Sequence, residues 1–303
     1  MAKKARSLGA RRALAFSAAV MSGVAALAGP GAGPATASAS GAQHPEYVAL
    51  GDSYASAPVI PDEVDANCKR SDHNYPSLVA AYARAGLRDV TRSGATTAEM
   101  TAPQGTAPAQ FAALGRRTDL VTVSIGGNDV GFTTVLGTCA RLTASDPTGA
   151  PCRAFFTDGG HDRLTETVER TAPKIAGVIR GVRQRSPHAR ILVVGYPDLF
   201  PENGVGCTSD SVPFAAGDFP YLRDKEKELN RMLAGEAYRH GAGYVDTYAP
   251  TIGHDLCRPT GQRWIETLSP ATPAAPLHPN AEGEQAMAAA VEHALVCHRP
   301  RHR

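Results

Sequence analysis

The stretch "YVALGDSYAS", Tyr47 to Ser56, decides how the rest of the chain is read. Its first half is a short apolar run of the kind that forms a fully buried strand, and it breaks off at Gly51-Asp52-Ser53. A hydroxyl on the turn beyond such a strand is exposed at a sheet edge, where a nucleophile is useful. The competing reading is a helix N-cap, with Asp52 or Ser53 accepting a backbone hydrogen bond. The tripeptide alone does not separate the two.

Further along, similar runs recur: "LVTVSIGG" at 120–127, "RILVVGYP" at 190–197 and "GYVDTYAP" at 243–250, with a weaker candidate at 87–92. Between them, 75–85, 165–185 and 221–240 have helical spacing. In the second of these, Val168, Ala172, Ile175, Ile179 and Val182 fall on one face. Strand alternating with helix predicts a three-layer α/β/α sandwich around a mostly parallel, five-stranded sheet. In such sheets ligands bind beyond the carboxyl ends of the strands, which is where the polar clusters fall.

Before the first strand come Lys3, Lys4, Arg6, Arg11 and Arg12, an apolar run from Ala13 to Gly29, and the small-residue stretch "GPATASAS". This order predicts a secretory signal peptide over residues 1–39, cleaved after Ala37 or Ala39, with one domain over 40–303. The Arg11-Arg12 pair leaves both the general and the twin-arginine export routes open. A membrane anchor fits less well, because Ser17, Ser22 and Gly23 interrupt a run that would need about 20 apolar residues to span. The leader holds five basic and no acidic residues, so its loss turns the formal charge from +2 to −3. No basic patch remains to argue for a nucleic-acid partner.

Six cysteines in an exported chain point to disulfides, and no C-x-x-C pair occurs. Cys139 with Cys152 and Cys207 with Cys257 would each close a loop, leaving Cys68 and Cys297. The segment from Cys139 to Gly160, rich in Gly, Pro and Asp, reads as a long loop, either a mobile cover or a tied surface excursion.

Two more segments carry candidate chemistry. "SIGGNDVGF" puts the Asn128 amide at the sheet edge after a strand, where it can donate to an oxyanion without changing protonation; a plain Gly-Asn turn is the alternative. "APLHPNAEGEQAMAAAVEHALVC" puts His278 before Pro279, in an extended loop at a helix entrance from which it can take a proton from a serine.

These segments, in this order and at these strand ends, resemble the GDSL or SGNH hydrolase superfamily. "CKRSDHNYP", "SGATT", "VGYPDLF" and "LHPNAEG" look more particularly like secreted actinobacterial lipases and esterases. The resemblance implies a flavodoxin-like SGNH fold with Ser53 as nucleophile and His278 as base. It also implies an oxyanion hole of the Ser53 amide, the Gly94 amide and the Asn128 side chain. No cofactor or metal is implied, and no cluster in the sequence has metal-ligand spacing.

Two departures follow from the same resemblance. The family usually has an aspartate three residues before the histidine, and Ala275 stands there; no acid occurs from Pro270 to Pro276. Some secreted relatives use a backbone carbonyl of this loop instead, so the carbonyl of Ala275 or Pro276 is expected to orient the imidazole. Relatives also commonly pair a cysteine matching Cys68 with one just before "SGATT", where this chain has Arg92. A Cys68–Cys297 bridge and two free thiols are the alternatives.

The expected activity is hydrolysis of carboxylic esters by a secreted monomer with transient contact to a lipid interface. Val59, Ile60, Val130, Phe132, Val135, Leu136, Phe155, Phe156 and Phe214 could line a fatty-acyl groove or simply pack loops. Short-chain deacetylation of carbohydrate or plant polymers, phospholipase A1 activity and a silent binding protein are the alternatives.

Overall fold

In chain order the computed structural model, which describes residues 44–297, runs β1 (Glu46–Gly51), α1 (Ser53–Ser56), β2 (Glu63–Asp65), β3 (Arg70–Ser71), α2 (Tyr75–Ala83) and β4 (Gly86–Asp89). It continues with β5 (Thr118–Ser124), α3 (Phe132–Thr143), α4 (Pro151–Thr157), α5 (Arg163–Arg185), β6 (Arg190–Val194), α6 (Phe219–Arg239), β7 (Gly243–Val245) and α7 (Ala281–Cys297). The predicted leader, residues 1–39, lies outside the described residues.

The sheet order is β4-β1-β5-β6-β7 with every neighbour parallel, while β2 and β3 form a separate antiparallel pair. Counting only the large sheet, this is the doubly wound order in which the chain reverses direction across the sheet at its first strand.

Side-chain alternation explains the three layers. Val48 and Leu50 of β1, Val121 and Val123 of β5, and Ile191 and Val193 of β6 point to one face. There they pack against Ile175, Val178, Ile179 and Val182 of α5 and Leu229, Leu233 and Ala237 of α6. The alternate residues Tyr47, Ala49, Leu120, Leu192 and Val194 meet Tyr75, Val79 and Ala80 of α2 and Met287, Ala288 and Val291 of α7. Strands buried on both faces need unbroken apolar runs, and each buried aliphatic side chain contributes about 2 kcal/mol.

The structure differs from the sequence expectation over 139–160, where α3 and α4 replace most of the predicted loop. "FTTVLGTCARLT" is poor in strong helix formers, with four threonines, a valine and a glycine. Its helix is held by Leu136 in the core and by the Cys139–Cys152 disulfide to α4. The first turn of α4 is capped from outside, by Asp218 accepting from the Cys152 and Arg153 amides at 3.0 and 2.8 Å. A second disulfide joins Cys207 to Cys257.

Cys68 and Cys297 do not pair, which corrects the tentative bridge between them. Both are free thiols, one buried and one exposed. α7 starts at the carboxyl edge of the sheet and runs back toward the other edge, where Arg190 at the start of β6 donates to the Leu295 carbonyl at 3.0 Å. Cys68 stays at the carboxyl edge, its carbonyl accepting from Ser93. Thiols at opposite edges cannot meet the Cα separation of below about 7 Å that a disulfide needs.

Candidate active site

At the end of β1 the chain turns on Asp52, whose carboxylate accepts from the Tyr54 amide at 3.0 Å and caps α1. The N-cap is therefore real and belongs to Asp52, which leaves the Ser53 hydroxyl free for another partner. That partner is His278, with Nε2 2.7 Å from Ser53 Oγ. Sequence position 225 residues apart becomes a single hydrogen bond because both segments end at the carboxyl edge.

The other imidazole nitrogen, Nδ1, lies 2.7 Å from the Pro276 carbonyl oxygen. A carbonyl only accepts, so Nδ1 carries the proton and Nε2 is left to accept from the serine. Of the two carbonyls considered from sequence, that of Ala275 is engaged by the His278 main-chain amide at 3.2 Å. No carboxylate is bonded to the ring among the described residues. The acid of this loop, Glu266, instead accepts from Arg263, the Ala271 amide, the Thr272 hydroxyl and the Asn280 amide. Burial holds the His278 pKa below its ordinary 6.5, opposed by the Pro276 carbonyl.

Asn128 shares a cavity with Ser53 and His278. One hydrogen of its side-chain amide is committed to the Ala95 carbonyl at 2.8 Å, which fixes the rotamer and leaves the second available. Gly94 stands next to Ala95 at φ 79°, a left-handed conformation that glycine adopts freely. Neither the Ser53 nor the Gly94 main-chain amide donates to an acceptor among the described residues.

A cavity begins at these groups and opens to solvent. Val130, Phe132, Val135 and Leu136, for which the sequence left groove lining and loop packing open, line it; Leu164, Val168, Leu199, Phe200, Leu222 and Leu229 lie in the same wall. Ile60 and Phe214 are buried elsewhere in the core, and Phe155 and Val59 are exposed. The wall also carries Thr133, Lys225 and Glu226, and the Glu226 carboxyl is raised well above its ordinary pKa by burial and then by Asp198.

Three residues that sequence reasoning missed hold this site. Gln110, fully buried, clamps Gly51 through both amide atoms, accepting from its N–H at 2.8 Å and donating to its carbonyl at 2.9 Å. Tyr196 donates to Asp52 at 2.5 Å, and Tyr54 donates to the Leu277 carbonyl at 2.8 Å. Burial pushes the Asp52 carboxyl up to about 7, against the Tyr196 and Tyr54 hydrogen bonds that favour its anion. Among the described residues no group of three His, Cys, Asp or Glu side chains is arranged to hold a metal ion.

Comparison with known proteins agrees with this architecture. Residues 49–286 match the GDSL-like lipase/acylhydrolase family. Lipase 2 of Streptomyces coelicolor is 41% identical over 251 residues, covering 80% of this chain and 83% of that protein. Among solved structures, phospholipase A1 from Streptomyces albidoflavus is similar with a TM-score of 0.67 and 28% identity, over 84% of this chain and all of the other. The extracellular lipase of Streptomyces rimosus gives a TM-score of 0.68 at 26% identity, with the same 84% of this chain covered and 100% of the other. With the fold, the serine–histidine contact and these likenesses together, the chain belongs to the GDSL-like lipase/acylhydrolase family and is a carboxylic ester hydrolase.

Proposed function

We propose that the protein is an exported serine esterase that releases fatty acids from acyl esters through a Ser53 acyl-enzyme. Ser53 Oγ attacks the ester carbonyl while His278 Nε2 accepts its proton, and the tetrahedral oxyanion is held by the Ser53 and Gly94 amides and the Asn128 side chain. His278 then returns the proton to the departing alcohol. Water repeats the sequence on the acyl-enzyme and frees the acid. The Pro276 carbonyl orients the imidazole through Nδ1 in place of a carboxylate, and a neutral acceptor stabilises imidazolium less than a carboxylate would.

The observation that carries the mechanism is the 2.7 Å contact from His278 Nε2 to Ser53 Oγ, with Nδ1 held 2.7 Å from a carbonyl. The Val, Leu and Phe side chains that wall the cavity at that contact support an apolar fatty-acyl chain over an acetyl group as the acyl part of the substrate. Likeness to a phospholipase A1 favours a second reading in which the same acyl cavity serves a phospholipid. A silent binding protein needs neither a paired nucleophile and base nor free oxyanion donors. The leader-like residues 1–39 and the two disulfides support export of the 40–303 domain as a monomer that touches lipid interfaces transiently.

Hydrolysis of p-nitrophenyl esters of increasing acyl length, with Ser53→Ala beside the native protein, tests this reading. Serine-dependent turnover persisting to long chains is expected. Turnover confined to acetyl and butyryl esters would make it a short-chain esterase, and none on any ester would overturn the mechanism.

A further inference from the structure

The three segments that carry the chemistry lie on separate elements: the turn after β1, the Gly126–Asn128 turn after β5, and the loop before α7. A continuous buried hydrogen-bond path connects all three. The Gly127 amide donates to the Tyr196 hydroxyl at 2.7 Å, and that hydroxyl donates to Asp52 at 2.5 Å. The second Asp52 oxygen accepts from the Tyr54 amide at 3.0 Å, and the Tyr54 hydroxyl donates to the Leu277 carbonyl at 2.8 Å, one residue before His278.

The path is built rather than incidental. Asp52, Tyr54 and Tyr196 are each at most 4% exposed. A Cβ at Gly127 would stand 3.0 Å from the Tyr196 hydroxyl, so glycine there allows the oxygen its close approach. The Tyr54 ring packs edge-on against Tyr196 at 5.1 Å and lies tilted by 31° beneath His278 at 4.9 Å. Leu277 holds φ 61°, a conformation a leucine adopts only where its surroundings over-determine it, and the Tyr54 hydroxyl is one such constraint.

We propose that Tyr196 and Tyr54 are positioning residues that brace the oxyanion turn, the nucleophile turn and the base loop against one another. The inference rests on the serine mechanism above. The Tyr196 hydroxyl fixes Gly127, and through it Asn128, relative to Ser53. The Tyr54 hydroxyl fixes the backbone of the base loop, a task more exposed to error here because no carboxylate grips the imidazole. Both act on the reacting centre and neither hydroxyl is spent on the acyl chain, so their effect is independent of chain length.

The test is Tyr196→Phe and Tyr54→Phe, each keeping its ring in the core, with kcat and KM measured on butyryl and longer p-nitrophenyl esters. Turnover is normalised to folded enzyme by active-site titration with a fluorophosphonate, and melting temperature is recorded. The expected result is a fall in kcat of about ten- to a hundredfold for Tyr196→Phe and about tenfold for Tyr54→Phe, with KM unchanged and the same factor at every chain length. Asp52→Asn, which keeps the shape of the junction but changes its hydrogen bonding, should lose little more when combined with Tyr196→Phe than the worse single variant loses, because the two act as one unit.

A native kcat per folded molecule in both phenylalanine variants, even with a lower melting temperature, overturns the brace and reduces the hydroxyls to a structural role. So does a defect that appears only in KM and grows with chain length, which would make the rings mere cavity wall. A native protein that hydrolyses no ester would overturn the serine mechanism as well, and that result separates the two failures.

Discussion

The turn that carries Ser53 and the loop that carries His278, the proposed nucleophile turn and base loop, are built in contrasting ways. From Asp52 to Ala57 every residue is buried; within the turn Ser56 N bonds to Asp52 O at 3.0 Å and Ala57 N to Ser53 O at 3.0 Å, and Asp52 N ties the turn to Ser124 O at the end of β5 at 2.9 Å. The base loop from Glu266 to Asn280 alternates between exposed and buried residues, carries a left-handed leucine, and hangs on one buried acid whose carboxylate does not reach the imidazole. Ser53, the proposed nucleophile, sits on a short buried helix bonded within itself and tied down by β5, Gln110 and Tyr196. The base is presented by a carbonyl and by contacts from distant elements.

The sharpest break of that comparison is to remove each partner in turn. Ser53→Ala and His278→Ala should each lower kcat on the order of 10⁵-fold or more, and the double variant little further, since the two work as one unit. A His278→Ala enzyme retaining a tenth of native turnover would detach the loop from catalysis. Next in size, Asn128→Ala should cost about a hundredfold in kcat, typical of losing one oxyanion donor, with KM little changed. A near-native rate in single-turnover measurements would remove Asn128 from the site.

Glu266→Gln addresses the base loop more directly. Glu266 is fully buried with Arg263 as its ion partner, so breaking the pair should cost about 3 kcal/mol of stability, read as a lower denaturant midpoint. Turnover per folded molecule should be largely kept, because no Glu266 contact reaches the imidazole. A loss matching His278→Ala in fully folded protein would reveal a carboxylate dependence that the geometry lacks.

The same contrast separates what the sequence made legible from what it did not. The alternating strands were readable because strand burial is short-range: Val48, Val121 and Ile191 announce buried strands within a few residues; Ser53 and Asn128 stood out only as strand-end candidates, and the family resemblance, not local pattern, gave them roles. His278 was readable through its Pro-Asn helix entrance. Its orienting group was not, since any loop residue supplies a carbonyl and only the fold shows that the Ala275 oxygen is taken while that of Pro276 is free for Nδ1. Gln110, Tyr54 and Tyr196 were invisible as site residues for the same reason, their partners being 59, 223 and 144 residues away. The helix α3 was missed because Leu136 and a disulfide, rather than local propensity, hold it. The proposed Cys68–Cys297 bridge failed on direction alone: α7 runs away from the edge where Cys68 stays.

The pH dependence should reflect the burial of His278, which outweighs the opposing Pro276 carbonyl. The folded pKa of His278 lies below the ordinary 6.5, so the imidazole stays neutral and competent as pH falls through 6.5. The acid limb of kcat/KM should therefore fall at a lower pH than for a free imidazole; a limb above 6.5 would mean that a carboxylate, not burial, sets this pKa. The linked stability has the matching sign. With the folded pKa depressed, the unfolded chain binds the proton first, so this stabilisation is present above 6.5 and is lost as pH falls through the folded value.

The smallest expected effect sharpens the other side of the comparison. If the nucleophile turn is rigid because its backbone groups, the Ser53 amide apart, are held in place by hydrogen bonds, then loosening one pair should cost stability before it costs catalysis. Gln110→Leu keeps the approximate volume and removes both clamps on Gly51. The Gly51 carbonyl retains the Arg92 amide at 3.1 Å, so the N–H, bonded only to the glutamine, is left orphaned in the core. One buried unsatisfied donor costs about 1–3 kcal/mol, which a urea midpoint resolves. Turnover per folded molecule should fall less than in Tyr196→Phe, because Asp52 still bonds to Ser124 and still caps α1. A Gln110→Leu enzyme of native stability but hundredfold lower kcat would invert that order, and would make the end of β1, rather than the turn beyond it, the element that aims the serine.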